Sequence, residues 1–324
     1  MRKIVLLMVA VCLLLPACLA EGGGIGYRFA DADEGTELLL SNREYYDNLN
    51  QNDLRFRLQK TDASLEEMEA FAAAQTRDYN EAEKAAIDGA MARIEQICAE
   101  RGYALPATDG IVFIKTTMAE ENGAGGYTHG TQIYLGEVVM EYALSDDPDA
   151  QALFDEVMVH ELFHCLTRNH PDFRARMYAI LGFTVVGEDY DFPPEIRERI
   201  INNPDVERHN SYAAFDIGGE KKDCAVIFTT SRPFEQPGDS FSKLRVTGLV
   251  PIDDLGTLYT AEDAANFWEV FGRNTDYVID PEETLADNFA FTILSGPDGR
   301  EYESPEIIEA IDALLRSGAA DAAA

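Results

Sequence analysis

The stretch "VMVHELFHCLTRNH", Val157 to His170, fixes more about this chain than any other segment. It carries three of the five histidines, with a carboxylate between the first two. Asp147 and Pro148 supply a helix cap and a first helical residue, and Pro171 disfavours helix at the position before it. The spacing therefore predicts one helix from Pro148 to about Asn169. On it, His160 and His164 project from one face a turn apart, so their ring nitrogens can meet a single ion. Glu161 leans over the edge of that face, placed to take a proton without ligating. "HELFH" is thus an HExxH pattern, and residues of this type in this spacing point to Zn2+. An amphipathic helix with two incidental surface histidines is the competing reading.

The beginning of the chain is a separate matter. "MRKIVLLMVAVCLLLPACLA" has basic residues, an apolar run and small residues, the layout of an export signal over 1–20. "ACLA" suits ordinary cleavage before Glu21. "LPAC" is similar to a bacterial lipobox, in which Cys18 would carry a lipid anchor. Either reading takes the protein out of the cytoplasm, to the periplasm, the cell surface or the medium. No later apolar run is long enough for a membrane span. The net charge of −33 argues against nucleic acid as a partner. Beyond the leader stand Cys98, Cys165 and Cys224 without a CxxC pair, which disfavours a cysteine zinc site and leaves one disulfide open in an exported protein.

Hydrophobic periodicity and caps divide the rest. "EGGGIG" reads as a flexible leader, and 21–105 as a helical segment with two helices, the first capped by Asp62 or Ser64 and the second capped by Asn80 and stopped at Gly102. "GIVFIKTT" and "GTQIYLG" read as strands. After the motif helix come "PDFRARMYAILG" as a helix, a loop-rich region from Phe183 to Thr230 with a short helix at "FPPEIRERI" and a strand at "DCAVIFTT", and a strand at "KLRVTGLVPI". Helices are expected at Ala261–Phe271, Pro281–Ile293 and Pro305–Ser317. Residues 106–318 form the main domain, and 319–324 a frayed tail. The order of elements indicates α+β, with a small mixed or antiparallel sheet and a helical C-terminal part.

Two segments compete for the third ligand. His170 follows His164 by six residues, as in the extended HExxHxxGxxH pattern that metzincins carry. Thr167 stands where that pattern has its turn glycine, and a β-branched residue resists the positive φ needed. The second segment is "DPEETLADNFAF". Helical spacing sets Glu283 one turn before Asp287. Here the chain resembles the gluzincins, the thermolysin-like zinc peptidases, and uncharacterised exported bacterial metallopeptidases. That resemblance implies a zincin-like domain in which His160, His164 and Glu283 hold zinc and Asp287 steadies His160. It implies Glu161 as general base in peptide-bond hydrolysis, with a peptide or protein as substrate. A capping-box role for Glu283, and dipole complementation by Glu282 and Glu283, would explain the same glutamates without metal. For the oxyanion donor, the loop "NNPDVERHNSY" offers His209 and Tyr212. In thermolysin-like folds the strand before the motif helix pairs with substrate, and "GAGGYTHG" would be that edge. His129 either lines the cleft or sits on an exposed edge. An exported lipoprotein with a non-catalytic zinc site is the reading from another class.

Overall fold

The computed structural model describes residues 25–235, 239 and 241–318. The leader with Cys18 and the tail 319–324 lie outside them. The described chain is α+β, built on two sheets.

The first sheet has β3 (Ile111–Thr116) at its centre, nearly all buried. β1 (Tyr27–Phe29) pairs with it in parallel, and β2 (Thr76–Arg77) pairs antiparallel with its end. On the other side β5 (Gln132–Gly136) runs parallel to β3, and β4 (Gly126–His129) closes the sheet as an antiparallel edge. The second sheet is antiparallel throughout: β6 (Thr184–Val185), β7 (Ser211–Ile217), β8 (Glu220–Thr230), β9 (Arg245–Pro251) and β10 (Tyr259–Thr260) follow one another in space as in sequence.

The N-terminal segment is not a separate helical unit. β1 and β2 are strands of the first sheet, and Tyr79, Ile87, Met91 and Ile94 share one core with Met158, Leu162 and Phe289. The expected helix Glu81–Arg101 is set by a capping box between Asn80 and Glu83 and stopped by Gly102, whose φ of 70 suits glycine. Helices at Ala32–Ser41, Arg43–Asn48 and Gln51–Leu58 were not evident from periodicity. They are short, and part of their burial is polar: Asp53 and Arg57 are almost completely inaccessible.

The expected helix Ala261–Phe271 is broken. A single turn covers Ala261–Asp263 and a helix covers Phe267–Phe271. Between them Ala264 bridges to Ile217, and the Ala265 N–H donates to Asp216, so β7 competes successfully for the backbone. Cys98, Cys165 and Cys224 are buried and unpaired. No described helix is long and apolar enough to cross a membrane.

Two helices carry the site. The motif helix spans Pro148–Asn169, capped by the Asp147 side chain on the Asp149 N–H. A second helix, Pro281–Leu294, is buried on almost every face. Its Phe289 ring lies 5.2 Å from that of Phe163 on the motif helix. Packing of Leu285, Ala286, Phe289 and Ile293 into the shared core leaves one stripe, Glu282, Glu283 and Asp287, turned toward the histidines.

Candidate metal centre

Glu283 Oε2 lies 3.0 Å from His160 Nε2 and 3.7 Å from His164 Nε2. These three ligand atoms all fall within 4.8 Å of one another. Ligands held about 2.0–2.1 Å from one tetrahedral ion lie about 3.3 Å apart, so the two sides of 3.0 and 3.7 Å are of the length that a shared ion spans. His164 is wholly buried, yet its Nε2 has no hydrogen-bond partner among the described residues. A buried imidazole nitrogen left without a partner is costly, and an ion at the centre of the triangle would satisfy it. Two imidazoles and one carboxylate make a donor set that could hold a metal ion.

Both rings are held from behind. His160 Nδ1 is 2.8 Å from Asp287 Oδ1, whose other oxygen accepts from Thr275 at 2.5 Å. His164 Nδ1 is 3.2 Å from Glu282 Oε1. Glu282 also accepts from the Thr167 and Tyr178 hydroxyls, with the Arg174 guanidinium 3.7 Å away. With Nδ1 facing a carboxylate in each ring, Nε2 is the nitrogen presented to the centre. The dipole role expected of Glu282 does not account for it. It is buried, and it orients the second histidine. Glu283 takes no capping-box role either: Asp280 caps the Glu282 N–H, while Glu283 turns to the two histidines and the Asn203 amide.

The electrostatics draw positive charge to this point. Burial opposes a charge on His164, but the carboxylates of Asp205, Glu282 and Glu283 raise its pKa to about 9. Burial likewise opposes ionisation of Glu283, yet the hydrogen bond with His160 and the nearby charge of the His164 and His160 rings hold its pKa below the usual carboxylate range. A cation at the centre would meet the same set of anions.

Glu161 is not in the triangle. Its Oε2 accepts from Thr128 Oγ1 at 2.8 Å, and its Oε1 stands over Gly126 of the edge strand. A β-carbon on Gly126 would come within 2.7 Å of that oxygen, so glycine is what admits the carboxylate. Burial raises the pKa of Glu161 above the usual carboxylate value.

A cleft of about 520 Å³ opens on the centre. His160, Glu161, Glu283 and Asp287 form its polar end, and Val138, Tyr142 and Leu153 its apolar flank. The Gly125 carbonyl accepts from the Gly136 N–H of β5, so the backbone groups of Gly126 face the cleft side of the edge.

The other sequence candidates lie elsewhere. His170 caps the motif helix and meets Thr108 Oγ1 at 3.2 Å through Nε2, so it is not gathered with His160 and His164. His209 packs its ring 5.9 Å from that of Phe192. Tyr212 is not in a loop. It lies in β7, opposite Thr184. Neither lines the cleft. His129 is neither in the cleft nor on an exposed edge: it is buried among the rings of Tyr45, Tyr127 and Tyr134. The residues that do face the centre, and that no sequence pattern singled out, are Asp205 and Tyr277. Tyr277 Oη is 3.4 Å from Glu283 Oε1, and Asp205 Oδ1 is 3.9 Å from His164 Nε2. No family model, curated protein or solved structure matches this chain.

Proposed function

We propose that the protein is a zinc-dependent hydrolase of peptide bonds with a zincin-like domain of the gluzincin kind. The observation that supports it best is the joint placement of three elements. The triangle His160, His164 and Glu283 lies at the end of an open cleft, Asp287 and Glu282 fix the two rings, and Glu161 stands beside the triangle without joining it. A purely structural zinc site closes its fourth position and has no use for a neighbouring base.

Zinc, held by His160, His164 and Glu283, would supply a Lewis acid that acidifies water and polarises a carbonyl. Glu161 then accepts the proton from water. Thr128 holds its carboxylate toward the cleft while it does so. The same carboxyl group returns the proton to the departing amine. The Tyr277 hydroxyl, on the cleft wall, would turn from its 3.4 Å contact with Glu283 Oε1 to donate to the carbonyl oxygen as negative charge builds there. The edge strand β4 lays an extended peptide across the site by main-chain pairing at Gly126.

The test is a pair of measurements on the purified mature chain. It should hold about one zinc, removable by chelators, and His160→Ala or His164→Ala should abolish tight binding. Glu161→Gln should retain the zinc while peptide turnover drops by at least 100-fold, the scale of a lost general base. Turnover that survives Glu161→Gln would falsify the catalytic reading and leave a zinc protein of another kind.

A further inference from the structure

The edge strand that borders the cleft is open over only part of its length. At Gly126 its backbone faces the cleft. Two residues on, the Thr128 N–H donates to Asp205 Oδ1 at 2.7 Å, and the Thr128 carbonyl accepts from Arg168 at 2.8 Å. The Gly130 N–H is taken by Glu207 at 2.8 Å. The outward groups of this end of β4 are therefore occupied by the chain itself, mainly by the loop through Asn203, Pro204 and Asp205. A substrate strand pairing at Gly126 cannot continue past Thr128. It must end beside the metal centre.

Past Gly126 the cleft gives onto a smaller pocket of about 290 Å³, with Phe56, Ile201 and Phe228 on its wall. Asp205 and Tyr277 border both spaces. Asp205 is buried, and Glu161, His164 and Asp205 bring their ligand atoms within 4.8 Å of one another. His164 Nε2, the nitrogen turned to the metal centre, lies 3.9 Å from Asp205 Oδ1, which sets this corner beside the centre. The blocked end thus offers a carboxylate where a chain terminus would lie. A cation does line the small pocket, the Arg57 guanidinium, but its nitrogens already donate to Asp53, Glu121, the Tyr45 hydroxyl and the Asn202 carbonyl. Four of its five N–H donors are thus engaged, and the carboxylates of Asp53 and Glu121 already balance its charge, so it is poorly placed to receive a terminal carboxylate.

We propose that the protein takes peptides by a free N-terminus, with Asp205 receiving the terminal ammonium and the pocket of Phe56, Ile201 and Phe228 receiving an apolar first side chain. The remaining chain leaves through the larger cleft, past Val138, Tyr142 and Leu153. The reaction is hydrolysis of the first peptide bond. The oxygen of water bonds to the carbonyl carbon and the C–N bond breaks. A proton from water goes to the leaving nitrogen, and the products are one free amino acid and a shortened peptide. This deepens the hydrolase reading above and rests on it.

Three versions of one short peptide beginning with Leu separate the cases, each given to the zinc-loaded full chain: free at both ends, N-acetylated, and C-amidated. Release of Leu from the free and amidated forms is expected, with the acetylated form at least 100-fold slower. Asp205→Asn keeps an acceptor for the Thr128 N–H, so it should keep its zinc. Its kcat/KM on the free peptide should fall about 100-fold, as for one partner lost from a buried charge pair, with no further loss on the acetylated peptide. Equal cutting of the acetylated peptide at an internal bond, or dependence on the C-terminal carboxylate, overturns the proposal. If no version is cut, the hydrolase reading fails. Peptide binding to zinc-loaded Glu161→Gln then judges the terminus separately: preference for the free amine supports Asp205 as its receptor, and equal binding of both forms overturns it.

Discussion

Asp287 Oδ1 sits 2.8 Å from His160 Nδ1 across two helices that are 127 positions apart in sequence at this point. One turn earlier on the same helix, Glu283 faces the other nitrogen of that ring at 3.0 Å. The imidazole is gripped at both ends by one helix face. Its orientation follows from the packing of the two helices and needs no help from a ligand.

Asp287→Asn keeps the shape and removes the charge behind His160. Zinc affinity, measured by competition with a chromophoric chelator, should fall by roughly 10–100-fold. The fold should survive, because Asp287 is partly accessible and Thr275 keeps an acceptor. Unchanged affinity would mean that the ring is fixed by packing alone.

Gly126→Ala tests the position of the base without touching a charged group. The added carbon would lie 2.7 Å from Glu161 Oε1, and the carboxylate must move. Zinc content should stay at the wild-type level while turnover falls by about 10-fold or more, since a misplaced base loses much of its contribution. Equal turnover in this variant would show that Glu161 has more room than the geometry gives it.

What was legible in the sequence is what local periodicity controls. The helix spacing of "HELFH" and of Glu283 and Asp287 sets which residues share a face, and the caps at Asp147 and Asp280 fix where each helix begins. The pairing of those faces was legible only through the family resemblance. Asp205 and Tyr277 reach the centre from irregular backbone, so no spacing rule points to them. Glu282 is a case of ambiguity: a glutamate in a first helical turn has a sufficient local explanation, and only burial beside His164, Thr167 and Tyr178 reveals the other. β7 was hidden because its buried positions include small ones, Ser211 and Ala213, in a segment rich in polar residues. The loop that Asn-Pro-Asp starts does hold His209, but β7 begins at Ser211 and takes in Tyr212.

His129 gives a pH signature that is independent of the metal centre. Burial among three tyrosines, with Arg168 and Arg57 adding their charge, lowers its pKa from 6.5 to about 3. The unfolded chain therefore binds a proton that the folded chain refuses between about pH 6.5 and pH 3, and stability falls as pH falls through that window. Between pH 6.5 and 5 the loss from this one group is about 2 kcal/mol. His129→Phe fills the same ring space and removes a buried Nε2 that lacks a partner. Denaturant melts of chelator-treated protein should show a shallower acid decline in the variant, and parallel curves would refute the assignment.

The third ligand and the carboxylate behind His164 are neighbours in sequence, and their substitutions should separate cleanly. Glu283→Gln removes an anionic ligand, so most zinc affinity and turnover should go. Its structural cost is moderated, because the amide can still meet Asn203 and Tyr277. Glu282→Ala should cost the fold more. It strips partners from the Thr167 and Tyr178 hydroxyls and from His164 Nδ1, all buried, and leaves the Arg174 guanidinium without its nearby anion. Losses of about 3–5 kcal/mol are typical when one member of such a buried charged set is removed. His170→Ala serves as the control. Its ring meets Thr108 at the far end of the motif helix, so zinc affinity should be unchanged. Isothermal zinc titration and denaturant melts of the three variants decide the matter. Should His170→Ala lose the zinc while Glu283→Gln keeps it, the ligand set drawn here is wrong.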